Sequence, residues 1–338
     1  MALYRCGNHS YVLKNQPVIT AWASVAGKKE SEGPLSAYFD IAEKNSNFGQ
    51  RTWEQAEKRM QQLALRTLQK KLQPGQEIQA VYSGDLLNQC IGSSFTLRNT
   101  NIPHIGLYGA CSTMAESLML AASAVNAGYF DNAVALTSSH FASSERQYRF
   151  PLGYGGQRTP TAQWTVTGAG AALVCSCGTG PKIDACTVGT VTDLGICDAN
   201  NMGAAMAPAA LETICTHMDD LHTAPEAYDL IVTGDLGQFG KEMLLTLAQK
   251  RGIQLGGKLA DCGTMVFDVL KQDVHSGGSG CGCSAITLCG YLLNQLKISK
   301  LKRVLFCGTG ALLSPTSTQQ GLPIPGVCHA VSIAGGDR

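Results

Sequence analysis

The chain has 338 residues, of which 44% are hydrophobic and 15% are charged, and its formal net charge is +1. This length gives about two domain-sized units with an ample core, and the near-zero charge excludes the basic footprint of a nucleic-acid-binding protein. No run reaches the ~18–20 apolar residues of a membrane span, so any membrane association is expected to be peripheral.

Alternating strands and helices follow one another along the chain. The apolar periodicity predicts a helix at 51–72, strands at 77–85 and 104–109, a helix at 112–127, and strands at 132–139 and 167–176. The second half has predicted strands at 228–235, 264–270 and 302–310, with helices at 240–251 and about 283–296. This alternation predicts an α/β protein with largely parallel strands.

The second half of the sequence echoes the first. YSGDLLNQ at 82–89 recurs as VTGDLGQF at 232–239, GACS at 109–112 as CGCS at 281–284, and AVALTSS at 133–139 as RVLFCGTG at 303–310. Three echoes in the same order predict a duplicated βαβ-rich unit, with halves at 1–178 and 179–338.

The fourteen cysteines are expected to be reduced, because the first residues lack the apolar core of a signal peptide. The CxC pairs at 175–177 and 281–283 have no histidine at zinc-finger spacing. No metal site made of sulfur and nitrogen ligands is therefore expected.

Cys111 lies where an apolar strand turns into a helix. Unpaired backbone N–H groups and the helix dipole favour a thiolate or a bound anion at such a position. Cys111 is therefore a nucleophile, one wall of an anion site, or a small packing residue. Because ligands bind beyond the carboxyl ends of parallel strands, we expect Cys111, Asp235 and the glycine-rich 275–284 segment to meet in one cleft.

Two levels of resemblance follow from these motifs. VTGAGAALV at 166–174 and FCGTGALL at 306–313 resemble the thiolase fold, which includes thiolases and β-ketoacyl-acyl carrier protein synthases. The resemblance implies duplicated halves in an α-β-α-β-α arrangement. Nine blocks spanning the chain resemble the stage V sporulation protein AD family: GDLLNQ, GACST, SSHFASSERQYRFP, YGGQ, VTDLGICD, MGAAMAPAA, TGDLG, GGSGCGCSA and TGALLSPT.

The closer resemblance implies a protein of spore-forming bacteria that works with the other stage V sporulation A membrane proteins. These move dipicolinic acid, with calcium, into the developing spore and out again at germination. It implies dipicolinate binding at the spore inner membrane without a catalytic reaction, and no cofactor other than calcium bound together with dipicolinate.

Catalysis is expected to be absent. Synthases of the thiolase fold use a cysteine with a histidine and an asparagine, and Cys111 matches the nucleophile. Asp235 stands at the histidine position, and the glycine-rich GGSGC segment (277–281) replaces the asparagine. A carboxylate accepts hydrogen bonds rather than donating them, and it repels a thiolate. His275 and Cys307 are possible substitutes, but structural roles are the more probable interpretation for both.

The ligand is expected to lie among residues from both halves. Backbone donors at the helix start and the glycine-rich loop would hold one carboxylate, arginines the other, and Tyr148 or Tyr154 the ring. If the calcium complex binds, Asp235 or Asp198 would complete the calcium shell. The predicted binding residues are Cys111, Ser112, His140, Arg146, Arg149, Asp235, Gly277, Gly278 and Ser279, with Arg158 as a further arginine.

Two other functions remain open. One is an active acyltransferase or condensing enzyme that uses Cys111, and the other is a scaffold that recruits membrane partners. A homodimer is expected through an edge strand, with 133–139 or its neighbours as the candidate.

Overall fold

Fifteen strands and ten helices are present in the computed structural model, which describes residues 3–148 and 157–336. The strands are β1 (Leu3–Cys6), β2 (Ser10–Leu13), β3 (Val18–Ala26), β4 (Ile41–Ala42), β5 (Ala80–Gly84), β6 (His104–Gly106), β7 (Asn132–Ser139), β8 (Trp164–Thr165), β9 (Gly168–Cys175), β10 (Lys182–Thr187), β11 (Leu230–Thr233), β12 (Leu259–Asp261), β13 (Gly278–Ser279), β14 (Arg303–Ala311) and β15 (Gly326–Ala334).

The helices are α1 (Trp53–Gln69), α2 (Ile91–Leu97), α3 (Thr113–Asn126), α4 (Phe141–Tyr148), α5 (Met202–Leu221), α6 (Gly237–Lys250), α7 (Cys262–Val266), α8 (Cys281–Ile286), α9 (Leu293–Lys297) and α10 (Pro315–Gln319). A π-helical segment, Thr287–Leu292, joins α8 to α9. None of the helices among the described residues is both long enough and apolar enough to cross a membrane.

The sheet order shows the duplication directly. Its main path is β12-β11-β14-β15-β10-β3-β9-β7-β5-β6, so the two halves repeat one pattern in mirrored order. In each half three strands are parallel (β6-β5-β7 and β12-β11-β14), and two antiparallel strands follow. The halves are joined through β10, which pairs with β3 at Lys182–Val18 and with β2 from Ala185–Val12 to Thr187–Ser10. The predicted duplication of a βαβ-rich unit is therefore confirmed.

The core is layered. One buried cluster packs α1 against the first half of the sheet, and another packs α5 and α6 against the second half. A third cluster combines α3 and α8 with strands from both halves. Helices α3 and α8, which begin beside the two cysteine motifs, thus form the central layer between the two halves of the sheet. The order is helix, sheet, helix, sheet, helix, as expected.

One predicted strand is wrong. The chain at 264–270 was expected to be extended, but α7 begins at Cys262, directly after the short strand β12. The Asp261 side chain accepts a hydrogen bond from the Thr264 backbone N–H at 3.2 Å, and this N-cap starts the helix. A local cap therefore overrides the apolar pattern of TMVFDVL.

The strand expected to form a dimer edge is in the sheet interior. β7 pairs with β5 on one side and with β9 on the other, so 133–139 has no free edge. The edge strand of that half is β6, which pairs with β5.

Candidate functional site

A narrow cavity of about 60 Å³, here called the Cys111 cavity, lies at the strand ends where the two halves meet. Its walls are mostly apolar, and they come from both halves of the chain. The described lining residues are Leu86, Ala110, Cys111, Ser144, Glu145, Tyr148, Thr165, Ala199, Met202, Ser279, Ala311 and Leu313.

The turn that presents Cys111 is strained and held by its own side chains. Ala110 has φ of 51°, in the left-handed region that residues with a Cβ avoid. The Ser112 hydroxyl donates to the Gly109 carbonyl at 2.7 Å, and the Thr113 hydroxyl donates to the Ala110 carbonyl at 2.6 Å. These bonds fix a short 3-10 turn just before α3, and strain of this kind is typical of functional sites.

The glycines of β14 let the second half approach this turn closely. A Cβ at Gly310 would lie 2.6 Å from the Gly109 carbonyl oxygen and 3.0 Å from the Ser112 nitrogen. A Cβ at Gly308 would lie 2.5 Å from the Ala115 Cβ. The glycines of the CGTG motif therefore act through packing, since only they permit this backbone contact.

The Cys111 side chain lies beside the Asp235 carboxylate, and both residues are buried. Asp235 accepts hydrogen bonds from the Gly280 N–H and the Thr309 hydroxyl, each at 2.8 Å. Burial, followed by the negative charge of Asp235, raises the pKa of Cys111 well above its usual value. Cys111, Asp235 and the glycine-rich segment thus meet, as expected from the sequence.

A second buried carboxylate holds the turn that carries Asp235. Asp261 accepts hydrogen bonds from the backbone N–H groups of Leu236 and Gly237 at 2.7 and 3.0 Å. The Thr233 hydroxyl donates to the same carboxylate at 2.7 Å. Burial raises the pKa of Asp261 to about 7. Asp261 therefore orients Asp235 without lining the Cys111 cavity itself.

Three polar side chains lie on the opposite wall of the cavity. Glu145 is 5% exposed, and its carboxylate accepts a hydrogen bond from the Thr165 hydroxyl at 3.3 Å. The Ser144 hydroxyl is buried and has no hydrogen-bond partner among the described residues. The Tyr148 hydroxyl is already occupied, because it donates to the Leu86 carbonyl at 2.6 Å. The Ser144 hydroxyl is therefore available to an incoming molecule, and Glu145, Thr165 and Ser279 are further polar residues of the walls.

His140 lies outside the Cys111 cavity, which corrects the expectation that it shares a pocket with Cys111. Its Nε2 lies 2.8 Å from the Ser46 carbonyl oxygen, and its Nδ1 accepts a hydrogen bond from the Ala142 N–H at 3.2 Å. Burial lowers the pKa of His140, so the imidazole is neutral with both nitrogens bonded. It has no donor left for a ligand.

Arg146 and Arg158, two of the predicted arginines, do not line the Cys111 cavity either. Arg146 forms an ion pair with Glu54 and packs over the Trp53 ring, on the outer face of α4. Arg158 forms an ion pair with Asp273 at 3.2 Å. Arg149, like Tyr154, lies outside the described residues.

The backbone of the glycine-rich segment is largely occupied by the protein itself. The Gly277 N–H donates to the Val274 carbonyl at 3.0 Å, and the Gly282 N–H donates to the Ser139 hydroxyl at 3.1 Å. Gly278 packs against Gly263 and pairs with Trp164 in the two-stranded β8–β13 sheet. Ser279 lines the cavity, whereas Gly277 and Gly278 do not.

The possible substitute catalysts are also remote from the thiol. The His275 Nε2 lies 3.3 Å from the Asp273 carboxylate, and Cys307 is fully buried in β14. Asp198 is exposed and caps the Asn200 N–H. Among the described lining residues there is no histidine, lysine, arginine, asparagine or glutamine. No group of three metal-ligating side chains occurs in the described part of the chain.

Sequence reasoning missed Ser144 and Glu145, although both lie in the SSERQY motif. Helical spacing from Phe141 places Ser144, Glu145 and Tyr148 on one face of α4, and Arg146 on another. The spacing therefore separates these residues from Arg146, but it does not tell which of the two faces of α4 is buried.

Comparison with known proteins adds family and fold. A family model described as stage V sporulation protein AD matches residues 7–334. Stage V sporulation protein AD of Bacillus subtilis (strain 168) is 40% identical over 326 residues, covering 96% of each chain.

Solved structures with the same fold include a variant of Xanthomonas campestris OleA, with a TM-score of 0.59 at 15% identity over 94% of this chain and 98% of that one. Another is 3-oxoacyl-[acyl-carrier-protein] synthase III from Aquifex aeolicus, with a TM-score of 0.54 at 13% identity over 94% and 99%. These similarities confirm the expected thiolase-like α/β fold.

Proposed function

Since the chain belongs to the stage V sporulation protein AD family, we propose that it is a non-enzymatic binding protein for dipicolinic acid (pyridine-2,6-dicarboxylic acid) or its calcium complex. In this proposal it acts in dipicolinate uptake into the developing spore and in release at germination. The Cys111 cavity is the binding site. Its apolar walls suit an aromatic ring, and its polar groups come from α4.

The position of the Cys111 thiol beside the buried Asp235 carboxylate is the observation that carries the non-enzymatic part of the proposal. Acyl transfer by a cysteine needs a thiolate and a nearby group that handles its proton. Here burial and the Asp235 charge keep the proton on sulfur. No imidazole or side-chain amide stands among the described lining residues. The site keeps a thiol but has no described partner that would activate it.

Glu145 gives the cavity a carboxylate that suits the calcium complex. It is the ionisable carboxyl group among the described lining residues. The calcium complex is neutral overall, and calcium accepts carboxylate oxygens such as those of Glu145.

Calorimetric titration tests this function. Dipicolinate is titrated with and without an equal concentration of calcium into the protein and into the cavity-filling variant Ala199→Phe. Ala227→Phe is the matched control, because it adds the same side chain at an exposed position away from the cavity. Binding of the calcium complex that Ala199→Phe abolishes and Ala227→Phe retains is expected. No heat with either ligand form at millimolar concentration would end the proposal.

An acyltransferase or condensing enzyme is the second function, favoured by the position of Cys111 on a cavity wall just before α3. It requires a covalent acyl adduct on Cys111, in which the thiol sulfur attacks the thioester carbonyl, displaces coenzyme A and loses its proton. Intact-chain mass spectrometry with acyl-coenzyme A of several chain lengths shows or excludes this adduct. An adduct that Cys111→Ala removes would replace the binding function with this one.

Assembly completes the proposal. We place the protein peripherally on the spore inner membrane, with other stage V sporulation A membrane proteins as partners. We also assign homodimer formation to the free edge of β6. Ile105 on this strand is 46% exposed, and the nearby Tyr108 is 64% exposed.

A pure scaffold is the remaining alternative. It predicts that Ala199→Phe still supports dipicolinate accumulation in sporulating cells, whereas a binding function predicts loss.

A further inference from the structure

A surface of tyrosines, lysines and one isoleucine lies along β3 and α9, outside the Cys111 cavity. We call it the Tyr–Lys face, and its members are Tyr38, Lys71, Tyr291, Lys297, Ile298 and Lys300. The rings of the two tyrosines meet edge to face, with their centroids 5.0 Å apart. Tyr38 is 40% exposed and Ile298 is 55% exposed. Large apolar and aromatic side chains therefore reach solvent on this face.

The members of the face are joined through Trp22 of β3. The Lys71 ammonium donates to the Trp22 carbonyl at 2.7 Å, and the Lys297 ammonium lies 5.5 Å from the centroid of the Trp22 ring. Lys71 also pairs with Asp40, which is two residues after Tyr38. A continuous series of contacts therefore leads from the tyrosines to the end of α9.

The end of α9 holds Ile298 and Lys300 in fixed positions. The Ser299 N–H donates to the Leu296 carbonyl at 3.1 Å, and the Lys300 N–H donates to the Gln295 carbonyl at 3.0 Å. These are the two hydrogen bonds of a Schellman motif, in which Ser299 has φ of 59° where glycine is usual. The exposure of Ile298 is therefore part of an ordered helix end and does not come from fraying.

The carboxylates next to this helix end have other partners. Asp184 pairs with Arg303 at 2.5 Å, and Asp229 accepts two backbone N–H groups at 2.5 and 3.0 Å. Lys297 and Lys300 are exposed, and neither forms an ion pair with another described residue. Their ammonium groups are therefore available to an anionic partner.

The composition of the face favours a lipid surface over a protein partner. Lysine is depleted from protein–protein interfaces, whereas tyrosines, lysines and protruding apolar side chains together are typical of the membrane interface. Ammonium groups attract anionic headgroups, and the lysine stems can lie along the apolar boundary below them.

We propose that the Tyr–Lys face binds the surface of an anionic lipid bilayer, with Lys297 and Lys300 at the headgroups and Ile298 inserted between them. This inference rests on the peripheral membrane placement proposed above and names the face that makes the contact. It does not depend on ligand binding in the Cys111 cavity.

The path of β14 gives the orientation of the bound chain. The strand begins at Arg303, three residues after the Tyr–Lys face, and ends at Ala311 in the wall of the Cys111 cavity. Its nine residues span about 26 Å at the usual rise of a strand. The cavity is therefore held away from the lipid, where a ligand can reach it.

Vesicle flotation tests the lipid contact. The unmodified chain is mixed with vesicles of phosphatidylcholine alone, or of phosphatidylcholine and phosphatidylglycerol in equal parts, at low and high salt. Binding to the anionic vesicles that high salt weakens is expected, with little binding to phosphatidylcholine alone. Binding to membranes of sporulating cells but not to protein-free vesicles would replace the lipid with a protein partner.

Lysine variants assign the binding to the face. Each lysine near an anionic surface contributes about a fivefold increase in affinity, so Lys297→Gln with Lys300→Gln should weaken vesicle binding about 25-fold. Arginine at both positions should restore it. Lys28→Gln with Lys44→Gln is the matched control, because it removes two exposed charges elsewhere. Equal binding by the two glutamine pairs would exclude this face while leaving the peripheral placement intact. No binding to any membrane would end both.

Two further measurements test the insertion and the orientation. Ile298→Ser should weaken binding about tenfold, whereas Leu322→Ser, at a position 49% exposed elsewhere, should not. Cys197, an exposed thiol two residues before Ala199 of the cavity wall, should react with iodoacetamide equally fast with and without anionic vesicles. Unchanged binding by Ile298→Ser, or protection of Cys197 by vesicles, would overturn the proposal. Calorimetry with calcium and dipicolinate on the same variants should show unchanged ligand binding.

Discussion

The Cys111 thiol lies beside the Asp235 carboxylate at the junction of the two halves, and both side chains are buried. Asp235 follows β11, as Asp85 follows the equivalent strand β5 in the first half. Both carboxylates are buried, and burial raises the pKa of each. The duplicated unit therefore places a buried carboxylate after the equivalent strand of each half. The carboxylate of the second half, Asp235, lies beside the Cys111 thiol.

Removing the Asp235 charge should make Cys111 more reactive. Asp235→Asn keeps an oxygen that accepts the Gly280 N–H, but it removes the negative charge that raises the pKa of Cys111. Each unit by which the pKa falls increases the thiolate fraction about tenfold at a pH below the pKa. Peptide-resolved mass spectrometry of iodoacetamide alkylation between pH 7 and 9 measures the change.

The exposed Cys177 and Cys197 are internal controls for this experiment, and Asp198→Asn is the matched control for an exposed carboxylate. In the unmodified sequence Cys111 should react more slowly than both exposed thiols. Alkylation of Cys111 at pH 7.5 as fast as that of Cys177 would show that Cys111 is not a buried, protonated thiol.

Glu145 should determine which form of dipicolinate binds. Glu145→Gln removes the carboxylate from the cavity wall but keeps an oxygen that accepts the Thr165 hydroxyl. Affinity for the calcium complex should fall by about tenfold or more, because one carboxylate ligand of calcium is lost, and affinity for the free dianion should fall less. Calorimetry with the two ligand forms measures both affinities. Glu226→Gln, at an exposed position, should alter neither, and an equal loss of both forms in Glu145→Gln would show that Glu145 is not a calcium ligand.

The contact between β14 and the Cys111 turn should be intolerant of a single added methyl group. Gly310→Ala places a Cβ 2.6 Å from the Gly109 carbonyl, so the backbone must shift, at a cost of about 1–3 kcal/mol in the free energy of unfolding. Gly257→Ala is the matched control, since no atom lies within 4 Å of its added Cβ. Urea denaturation compares the two, and equal stability would mean that the close approach is not required.

The sequence predicted the site best where the duplication determines the positions of the strand ends. Equivalent strands end at equivalent places, so the echo of GDLLNQ in TGDLG and the position of Cys111 sufficed to predict that Cys111 and Asp235 meet. The thiolase-like halves and the glycine motif of β14 follow from the same repeat. These predictions concern backbone positions at strand ends, which topology determines.

Predictions about the direction of side chains were less accurate than those about strand ends. Arg146 and Glu145 are adjacent in sequence, but α4 turns Glu145 into the cavity and Arg146 outward to Glu54. Which face of a short helix is buried depends on how it packs against β8, and no local pattern states that. Similarly, the backbone donors of Gly277 and Gly282 looked available, but Val274 and Ser139 already occupy them.

Several buried carboxyls hold protons in the folded state. Their contribution to the free energy of unfolding should therefore fall as the pH rises. Burial, then the charge of Asp85, raises the pKa of Glu57 from 4.5 to about 8. Between these values the folded chain binds more protons than the unfolded chain, so the contribution of Glu57 is fully present below about pH 4.5 and is lost as the pH rises toward 8. Asp261 and Glu30, each with a pKa raised by burial to about 7, act in the same direction.

Glu57→Gln should reduce this slope. The Gln side chain is neutral at every pH, still accepts the Ser138 hydroxyl, and leaves the Ser143 hydroxyl free to donate to the His140 carbonyl at 3.1 Å. Denaturant unfolding from pH 5 to 8.5 should show a flatter curve than the unmodified chain, with the largest gain at high pH. The exposed Glu226→Gln should keep the original slope. An unchanged slope in Glu57→Gln would show that Glu57 is ionised in the folded protein.

The edge of β6 should be the dimer interface. Within the described part of the chain its backbone pairs with one strand, β5, and an unpaired edge is stabilised when a second copy extends the sheet across a twofold axis. Ile105→Lys adds a charge to this edge, and repulsion between the two copies should convert a dimer to a monomer. Light scattering measures the mass, and Leu270→Lys, at a position 94% exposed elsewhere, is the control. A monomer before any substitution, or a dimer that persists in Ile105→Lys, would rule out this interface.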